Sequence, residues 1–487
     1  MTWLEPLPDA EMMRSGDAWA IEERGIPGLE LMERAGAGLA RVVAEVAPAG
    51  PIAIVCGKGN NGGDGLVAAR LLRADFRDVR VLLLSDELSG DPAANLARLE
   101  GDHEPFAAQG LLGAVVIVDA VLGTGSSGEA REPALGAIEA MNAAGVPVVA
   151  ADVPSGVDAS TGEVSGPAVC AVATVTFAAA KPGLWIEPGK TRTGAVHVID
   201  IGIPDGAPYT PEVWLIGAGV LGEIPLRQRN STKFDSGHVL VCGGSPGLGG
   251  APCLAAEAAM RAGAGYVTAC VPEALVPVVD ARLLEVMSAP LDADDAIERS
   301  ERGGAMVVGP GMGRLPGAEE LARELARRAP VPLLLDADGL NAHAGRLEDL
   351  AARRAPTVLT PHEGELGRLL GVDSADIKAR RLHHARDAAR RSGAIVVLKG
   401  DDTLIAEPSG RVAVNPGATP ALATAGTGDV LSGVIGALLA KGMDPFTAAC
   451  ASVFLHARAG RLAADRIGAE GLVAFDVIAS LPAARPC

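Results

Sequence analysis

Apolar residues recur at helical spacing from Met12 to Ala47, and the chain then changes rhythm: Ile52–Cys56 (IAIVC) is an unbroken apolar run that ends in glycines. A short run of this kind, bounded by turn residues, predicts a buried strand. The alternation repeats. Helix-patterned LVAARLLR is followed by strand-like VRVLLL, an Ala/Leu-rich helix by AVVIVDA, a helix over 134–144 by PVVAADV, and AVATVTFA reads as a further strand. Strands that alternate with helices through short loops predict an α/β fold, a doubly wound parallel sheet that binds ligands at the carboxyl ends of its strands.

After HVIDIGIP the periodicity lapses through PDGAPYTPEV and again through PLRQRNSTKFDSG, both rich in proline or polar residues. The junction is expected between Tyr209 and Gly222, giving domains over 1–214 and 215–487. A second α/β series runs from HVLVCGG through AMVVGPG, PLLLDAD, TVLTPHEGE, IVVLKGDDTLIAEP and RVAVNPG to the glycine-rich start of a long helix, AGTGDVLSGVIGALLA. No internal repeat relates the two series, so they are different modules.

Composition narrows the picture. Aromatics are 3% of a chain that is 48% hydrophobic, so the cores must be built from Ala, Val, Leu and Ile, as in parallel sheets covered by Ala-rich helices. A net charge of -18 without a basic stripe argues against nucleic-acid or anionic-membrane partners and leaves small-molecule substrates. The seven cysteines are scattered without CxxC spacing, as reduced, mostly buried thiols of a cytoplasmic protein would be. The opening MTWLEPLPDAEMMRSGD has neither the basic nor the apolar region of a signal peptide. The longest apolar stretch, AVCAVATVTFAAA, is too short to span a bilayer. Helix faces of an apolar-rich chain predict a homo-oligomer.

In CGKGNNGGDGL, a strand gives way to a helix, and Gly57, Gly59 and Gly62 have the G-x-G-x-x-G spacing that brings backbone close to a pyrophosphate. A hydride-transferring Rossmann enzyme would show the same glycines, with Asp86 near the place of a ribose-binding carboxylate. The tail NNGGDGL adds side-chain oxygens and Asp64, which a plain phosphate loop does not need. Two more strand ends are polar: VDAVLGTGSSGE carries Asp119, and ADVPSGVDASTG carries Asp152 and Ser155. Any one of these aspartates is accounted for as a cap or turn former. Three together beside glycine loops point to one catalytic rim.

The segments NNGGDGL, VDAVLGTG, DVPSG and AAKPG resemble the NAD(P)H-hydrate epimerase family across the whole first half. The resemblance implies a Rossmann-like domain. Its substrate would lie against Asn60, Asn61, Gly62, Gly63 and Asp64, against the loop Gly123, Thr124, Gly125, Ser126, Ser127, Gly128 and Glu129, and against Asp152. It also implies a potassium ion on oxygens of Asn61, Asp119 and Ser155, hard donors suited to an alkali cation. Hydration puts a hydroxyl on C6 of the dihydronicotinamide ring, and inverting that centre requires loss and return of the oxygen with proton transfers. Asp152 is expected to move the proton with Lys181 as charge partner; a solvated loop lysine is the alternative for Lys181.

In the second half, AGTGDVLSG sets Gly426, Gly428 and Asp429 at a helix start, where amides and helix dipole hold a phosphate while the carboxylate faces a substrate hydroxyl. The motif resembles the anion hole and catalytic aspartate of ribokinase-like kinases. With GGSPGLGGA, GPGMG, TPHEGE and VLKGDDT it resembles the NAD(P)H-hydrate dehydratase branch of that superfamily. This implies substrate contacts at Ala251, at Gly311 or Gly313, at His362 and at Asp429, and nucleotide contacts at Lys399, Gly400, Asp401, Asp402, Thr403, Gly426 and Gly428. The implied mechanism phosphorylates the C6 hydroxyl, with Asp429 as base and Mg2+ on the transferred charge, and the ring nitrogen then expels phosphate. Bacterial members use ADP, and ADP is the expected co-substrate.

Several residues carry weaker readings. His362, Glu363 and Glu365 lack a third spaced ligand for zinc. His383 and His384 are expected on a solvated helix face, and Asp336 and Asp338 as strand-end caps, with help in holding magnesium through water as the alternative for one of them. Two rivals remain at this level: a small-molecule kinase joined to a Rossmann oxidoreductase, and a dehydratase carrying a non-catalytic dinucleotide-binding module.

Overall fold

The computed structural model describes residues 1–313 and 316–485, so the expected thiol of Cys487 lies outside the described residues. The chain divides into two compact units: Pro6–Val213, and Trp214 onward together with Met1–Glu5.

In the unit Pro6–Val213, seven parallel strands lie in the order Glu104–Pro105, Val79–Leu83, Ile52–Cys56, Val116–Ala120, Val148–Ala151, Ala173–Phe177, Ala195–Ile199. Alternation within each strand explains why both faces are apolar. Ile52, Ile54, Val116 and Val118 meet Leu39 and Val43 of helix Gly28–Val46, whereas Ala53, Val55 and Ile117 meet Ile138 and Met141 of helix Ala134–Ala143. The helical pattern expected from Met12 to Ala47 is two helices, Ala10–Glu22 and Gly28–Val46, because Gly25 takes φ +70 and Pro27 caps the second.

The order reverses between Ile52–Cys56 and Val116–Ala120. At such a switch point the loops leaving neighbouring strands part in opposite directions and open a crevice. Their roots touch: the Gly57 amide donates to Ala120 O at 2.9 Å, and a Cβ on Gly57 would collide with the Val121 carbonyl.

The other unit carries an eleven-stranded sheet, in the order Leu4–Pro6, Val213–Ile216, Val412–Val414, Leu404–Ala406, Ile395–Leu398, Thr357–Leu359, Leu333–Leu335, Ala305–Val308, His238–Cys242, Tyr266–Val271, Met287–Pro290. Its strands are parallel from Ile395–Leu398 to Met287–Pro290. The segment IVVLKGDDTLIAEP folds back as an antiparallel hairpin, and Val412–Val414 extends it. The switch point lies between His238–Cys242 and Ala305–Val308. Helices Gly250–Arg261, Thr427–Ala440 and Pro445–Ile467 cover Val239, Val241 and Val307 on one face. The core of this unit also holds Trp3 and Leu4, whose three-residue strand is too short for any periodicity to announce.

Among the described residues six cysteines are free; five are buried and Cys170 is exposed. No helix among the described residues is long and apolar enough to cross a membrane.

Candidate functional sites

A cavity of about 1330 Å³ opens at the switch point of the unit Pro6–Val213. Its lining includes Asn60, Asn61, Asp64, the whole loop Gly123–Glu129, Asp152 and Lys181, so most of the expected rim converges on one space. Gly62 and Gly63 are placed differently. They lie beneath the lining, where a Cβ on Gly62 would strike the Gly57 carbonyl and one on Gly63 the Met32 sulfur. Helix Asn60–Ala74 begins there with no side-chain cap, which leaves first-turn amides for a ligand.

Asp152 follows strand Val148–Ala151 with φ +66, a left-handed conformation uncommon for a side-chain-bearing residue. The turn is held by what the side chains touch. Lys181 Nζ donates to Asp152 Oδ1 at 2.6 Å, to Thr176 Oγ1 at 2.8 Å and to Phe177 O at 2.9 Å, and the Thr124 amide donates to Asp152 Oδ2 at 3.2 Å. Lys181 is 0% exposed, which removes the solvated-lysine alternative. Burial works to raise the Asp152 pKa, but the Lys181 ammonium and the amide donors prevail and hold it below the usual carboxylate range.

Its neighbours go the other way. Burial, then the charges of Asp152 and Asp17, lift Asp64 well above its ordinary pKa, against the pull of Lys181. Asp17, from helix Ala10–Glu22, lines the same cavity, and burial lifts it to about 6. Sequence reading missed Asp17. Its signal was a carboxylate four residues after the apolar Met13, on the buried stripe of an amphipathic helix.

Asp119 and Ser155 do not line the cavity. Asp119 is 0% exposed and accepts from Ser155 N at 2.8 Å, Ser155 Oγ at 2.7 Å and Val121 N at 3.2 Å; burial raises its pKa to about 6. The buried Asn61 amide, both Oδ1 and Nδ2, has no hydrogen-bond partner.

In the other unit, Gly426 takes φ +90 and opens helix Thr427–Ala440, again without a side-chain cap. Behind it stands a charged cluster. Lys399 Nζ contacts Asp336 Oδ1 at 2.9 Å and Glu365 Oε2 at 3.5 Å, and Ser432 Oγ donates to Asp336 Oδ2 at 2.8 Å. Burial, then repulsion from Asp336, raises Asp429 to about 7, although Lys399 draws it down. Asp336 is therefore more than a strand-end cap: it is the buried partner of Lys399 and Ser432. A Cβ on Gly428 would lie 3.7 Å from Lys399 Nζ, so the GTGD turn and the lysine share one space.

The glycine loops interlock. A Cβ on Gly311 would lie 3.0 Å from the Ala251 Cβ, Ser245 Oγ donates to Gly311 O at 3.0 Å, and Gly313 N donates to Asp338 Oδ2 at 2.7 Å. His362 caps helix Glu363–Leu370, its Nδ1 accepting from Gly364 N at 3.0 Å, with the ring half exposed.

Within Lys399–Thr403 the side chains diverge. Asp401 Oδ1 accepts from Ala418 N at 3.0 Å, Thr403 Oγ1 donates to Gly400 O at 2.6 Å, and Asp402 is buried against Arg381 at 2.9 Å. Asp402 thus fixes the turn from inside. His384 is buried and meets Asp376 at 3.0 Å, so the expected solvated face holds for His383 and not for His384. Among the described residues no group of three or more His, Cys, Asp or Glu is arranged to hold a metal.

Comparison with known proteins separates the two halves in the same way. Residues 28–183 match the family model described as YjeF-related protein N-terminus, and residues 239–483 match that described as NAD(P)H-hydrate dehydratase. The bifunctional NAD(P)H-hydrate repair enzyme of Salinibacter ruber is 41% identical, over 98% of this chain and 95% of that protein. Those of Moorella thermoacetica (40%; 98% and 96%) and Escherichia coli (36%; 97% and 92%) are similar over the same extent. Among solved structures, a Bacillus subtilis ADP/ATP-dependent NAD(P)H-hydrate dehydratase co-crystallized with ATP/Mg2+ is 31% identical, covering 54% of this chain and 94% of that one, with a TM-score of 0.49. Two catalytic modules in fixed order, matched end to end by relatives of the same composition, place this chain in the family of bifunctional NAD(P)H-hydrate repair enzymes.

Proposed function

We propose that the chain restores hydrated NADH and NADPH in two steps: the first module epimerises the R and S hydrates, and the second dehydrates the S form with consumption of ADP. The observation that carries this reading is the pair of glycine-bordered sites, each with a lysine beside its carboxylate: Lys181 at Asp152 in one unit, and Lys399 with Asp336 beside Asp429 in the other. Both act on the same ring carbon. The epimerase falls within residues 1–214 and the dehydratase within 215–487, the first five residues serving the fold of the latter.

Asp152, kept ionised by Lys181, takes the proton of the water that adds to C6. The Gly123–Glu129 loop and the open amides at Asn60 and Asn61 hold the pyrophosphate and ring. Potassium fits here: the unpartnered buried Asn61 oxygen and the oxygens of Asp119 and Ser155 are hard donors next to the loop. Bound there, the ion would supply a fixed positive charge beside the Asp119 carboxylate.

In the dehydratase, Asp429 accepts the proton of the C6 hydroxyl as it attacks the nucleotide's terminal phosphate. Lys399 and the Gly426–Gly428 amides meet the transferred charge. Asp336 and Glu365 are already paired with Lys399, so Mg2+ would arrive with the nucleotide and would supply charge neutralisation on its phosphates. Ala251, Gly311, Gly313 and His362 border the substrate side, and the Lys399–Thr403 turn the nucleotide. The protein acts in the cytoplasm and assembles as a homo-oligomer.

The test is direct. Mixed R and S hydrates with ADP and Mg2+ should regain the 340 nm dihydronicotinamide absorbance completely; Asp152→Ala should recover only the S fraction and Asp429→Asn none. No recovery by the wild-type protein would return the site to a small-molecule kinase reading.

A further inference from the structure

Epimerisation by departure of the C6 oxygen asks for an acid as well as a base. Hydroxide leaves poorly, and Asp152, held ionised by Lys181, has no proton to give. The acid must be another group in the cavity.

Five carboxyls besides Asp152 line the cavity: Glu129 and Glu132 are exposed and Asp91 packs against Gly28, whereas Asp64 and Asp17 are close enough to feel the charges of Asp152 and Lys181. Asp64 is buried, its pKa raised by burial and by the charges of Asp152 and Asp17, and it is the less open of the two to a ligand in the cavity. Asp17 is half-buried, lines the cavity beside Met13 and Arg14, and takes no hydrogen bond or ion pair from the described residues. Its place on the helix is fixed, because Gly16 packs against Tyr209: a Cβ there would lie 3.2 Å from the ring's Cε1. The charged and titratable groups around Asp17 are Asp64, Asp152, Lys181, Tyr209 and, on its own helix, Arg14. Burial is the largest influence on Asp17, and a pKa of about 6 is close to the optimum for an acid working near neutrality.

We propose that Asp17 is the general acid of the epimerase, a catalytic carboxyl that opens into the same cavity as the Asp152–Lys181 pair and protonates the departing C6 hydroxyl. The proton passes from Asp17 to the C6 oxygen, the C6–O bond breaks as the N1 lone pair forms C6=N1⁺, and water departs. Water then adds to the opposite face of C6, N1 recovers its pair, and Asp152 takes the proton. Exchange with solvent returns both carboxyls to their starting states, so nothing is consumed.

The inference rests on the epimerase reading, and one experiment separates the two. R-to-S conversion is followed by chromatography from pH 5 to 8, with the enzyme-free rate subtracted. Because Asp17 works protonated, wild-type kcat should fall as pH rises through about 6. Asp17→Asn should lower kcat by about 10²- to 10⁴-fold with KM little changed and without that limb, while Asp17→Glu should restore turnover with a displaced limb. An Asn variant with wild-type kcat and limb, or one in which only KM rises, overturns the assignment of Asp17. Absence of interconversion by the wild-type protein overturns the epimerase reading instead. Thermal unfolding identifies an Asn variant that has lost its fold; Asp17→Glu then decides alone, and an undisplaced limb rejects the proposal.

Discussion

A carboxylate with an ordinary pKa is a poor proton acceptor from an alcohol, and Asp429 is tuned away from that value by its surroundings. Burial raises it, Asp336 repels its charge, Lys399 stabilises its charge, and Glu365 repels it again, with about 7 as the result. As a base it must be deprotonated, so dehydration should accelerate as pH rises through about 7. Lys399→Met removes the attraction and leaves the repulsion, so the limb should move to higher pH as kcat falls. A pH profile of 340 nm recovery at saturating ADP reads both effects, and a limb at or below the wild-type position would contradict this account. Asp152, Lys181 and Asp429 were legible in the sequence because each follows a strand or opens a helix beside glycines. Asp17 was not: midway along an amphipathic helix, a carboxylate reads as solvated until the fold shows what covers it. Asp336 was seen but undervalued, since its partners Lys399 and Ser432 are 63 and 96 residues away.

Elements of four or more apolar residues announced themselves. Ile52–Cys56, Val148–Ala151 and Ile395–Leu398 are buried throughout, and no pattern but an unbroken apolar run suits them. Edge elements are harder to read, because a strand of three residues has no period. Leu4–Pro6 is one, and Trp3 before it is 4% exposed in the core of the unit that otherwise begins at Trp214. The Gly217 amide donates to Trp3 O at 2.8 Å, which ties the segment to that unit by backbone as well as by packing. Trp3→Ala should therefore cost that unit about 3–5 kcal/mol. Urea titration of dehydratase activity should show the midpoint falling, with the midpoint for epimerase activity unmoved. A fall in the epimerase midpoint alone would mean that the segment belongs to the other unit.

Across the whole molecule, the sequence told two modules apart through their different glycine motifs, and the structure gives each motif its place: in one unit at the crevice where strand order reverses, in the other at a helix start beside the residues that follow Leu333–Leu335 and Ile395–Leu398. The residues proposed for the two steps lie in different units. The epimerised hydrate is a small, soluble dinucleotide. Nothing in the chemistry requires it to pass between the sites of a single chain, because release of the S form into solution leaves it a substrate for any dehydratase site. Equal amounts of an Asp152→Ala chain and an Asp429→Asn chain should then repair R hydrate together, each supplying the step the other lacks. Recovery of absorbance at 340 nm should approach completion and should depend on the concentrations of both chains. If the mixture regains the S fraction promptly and the R fraction only at the enzyme-free rate, the hydrate is handed over within one chain and the independence of the two sites is lost.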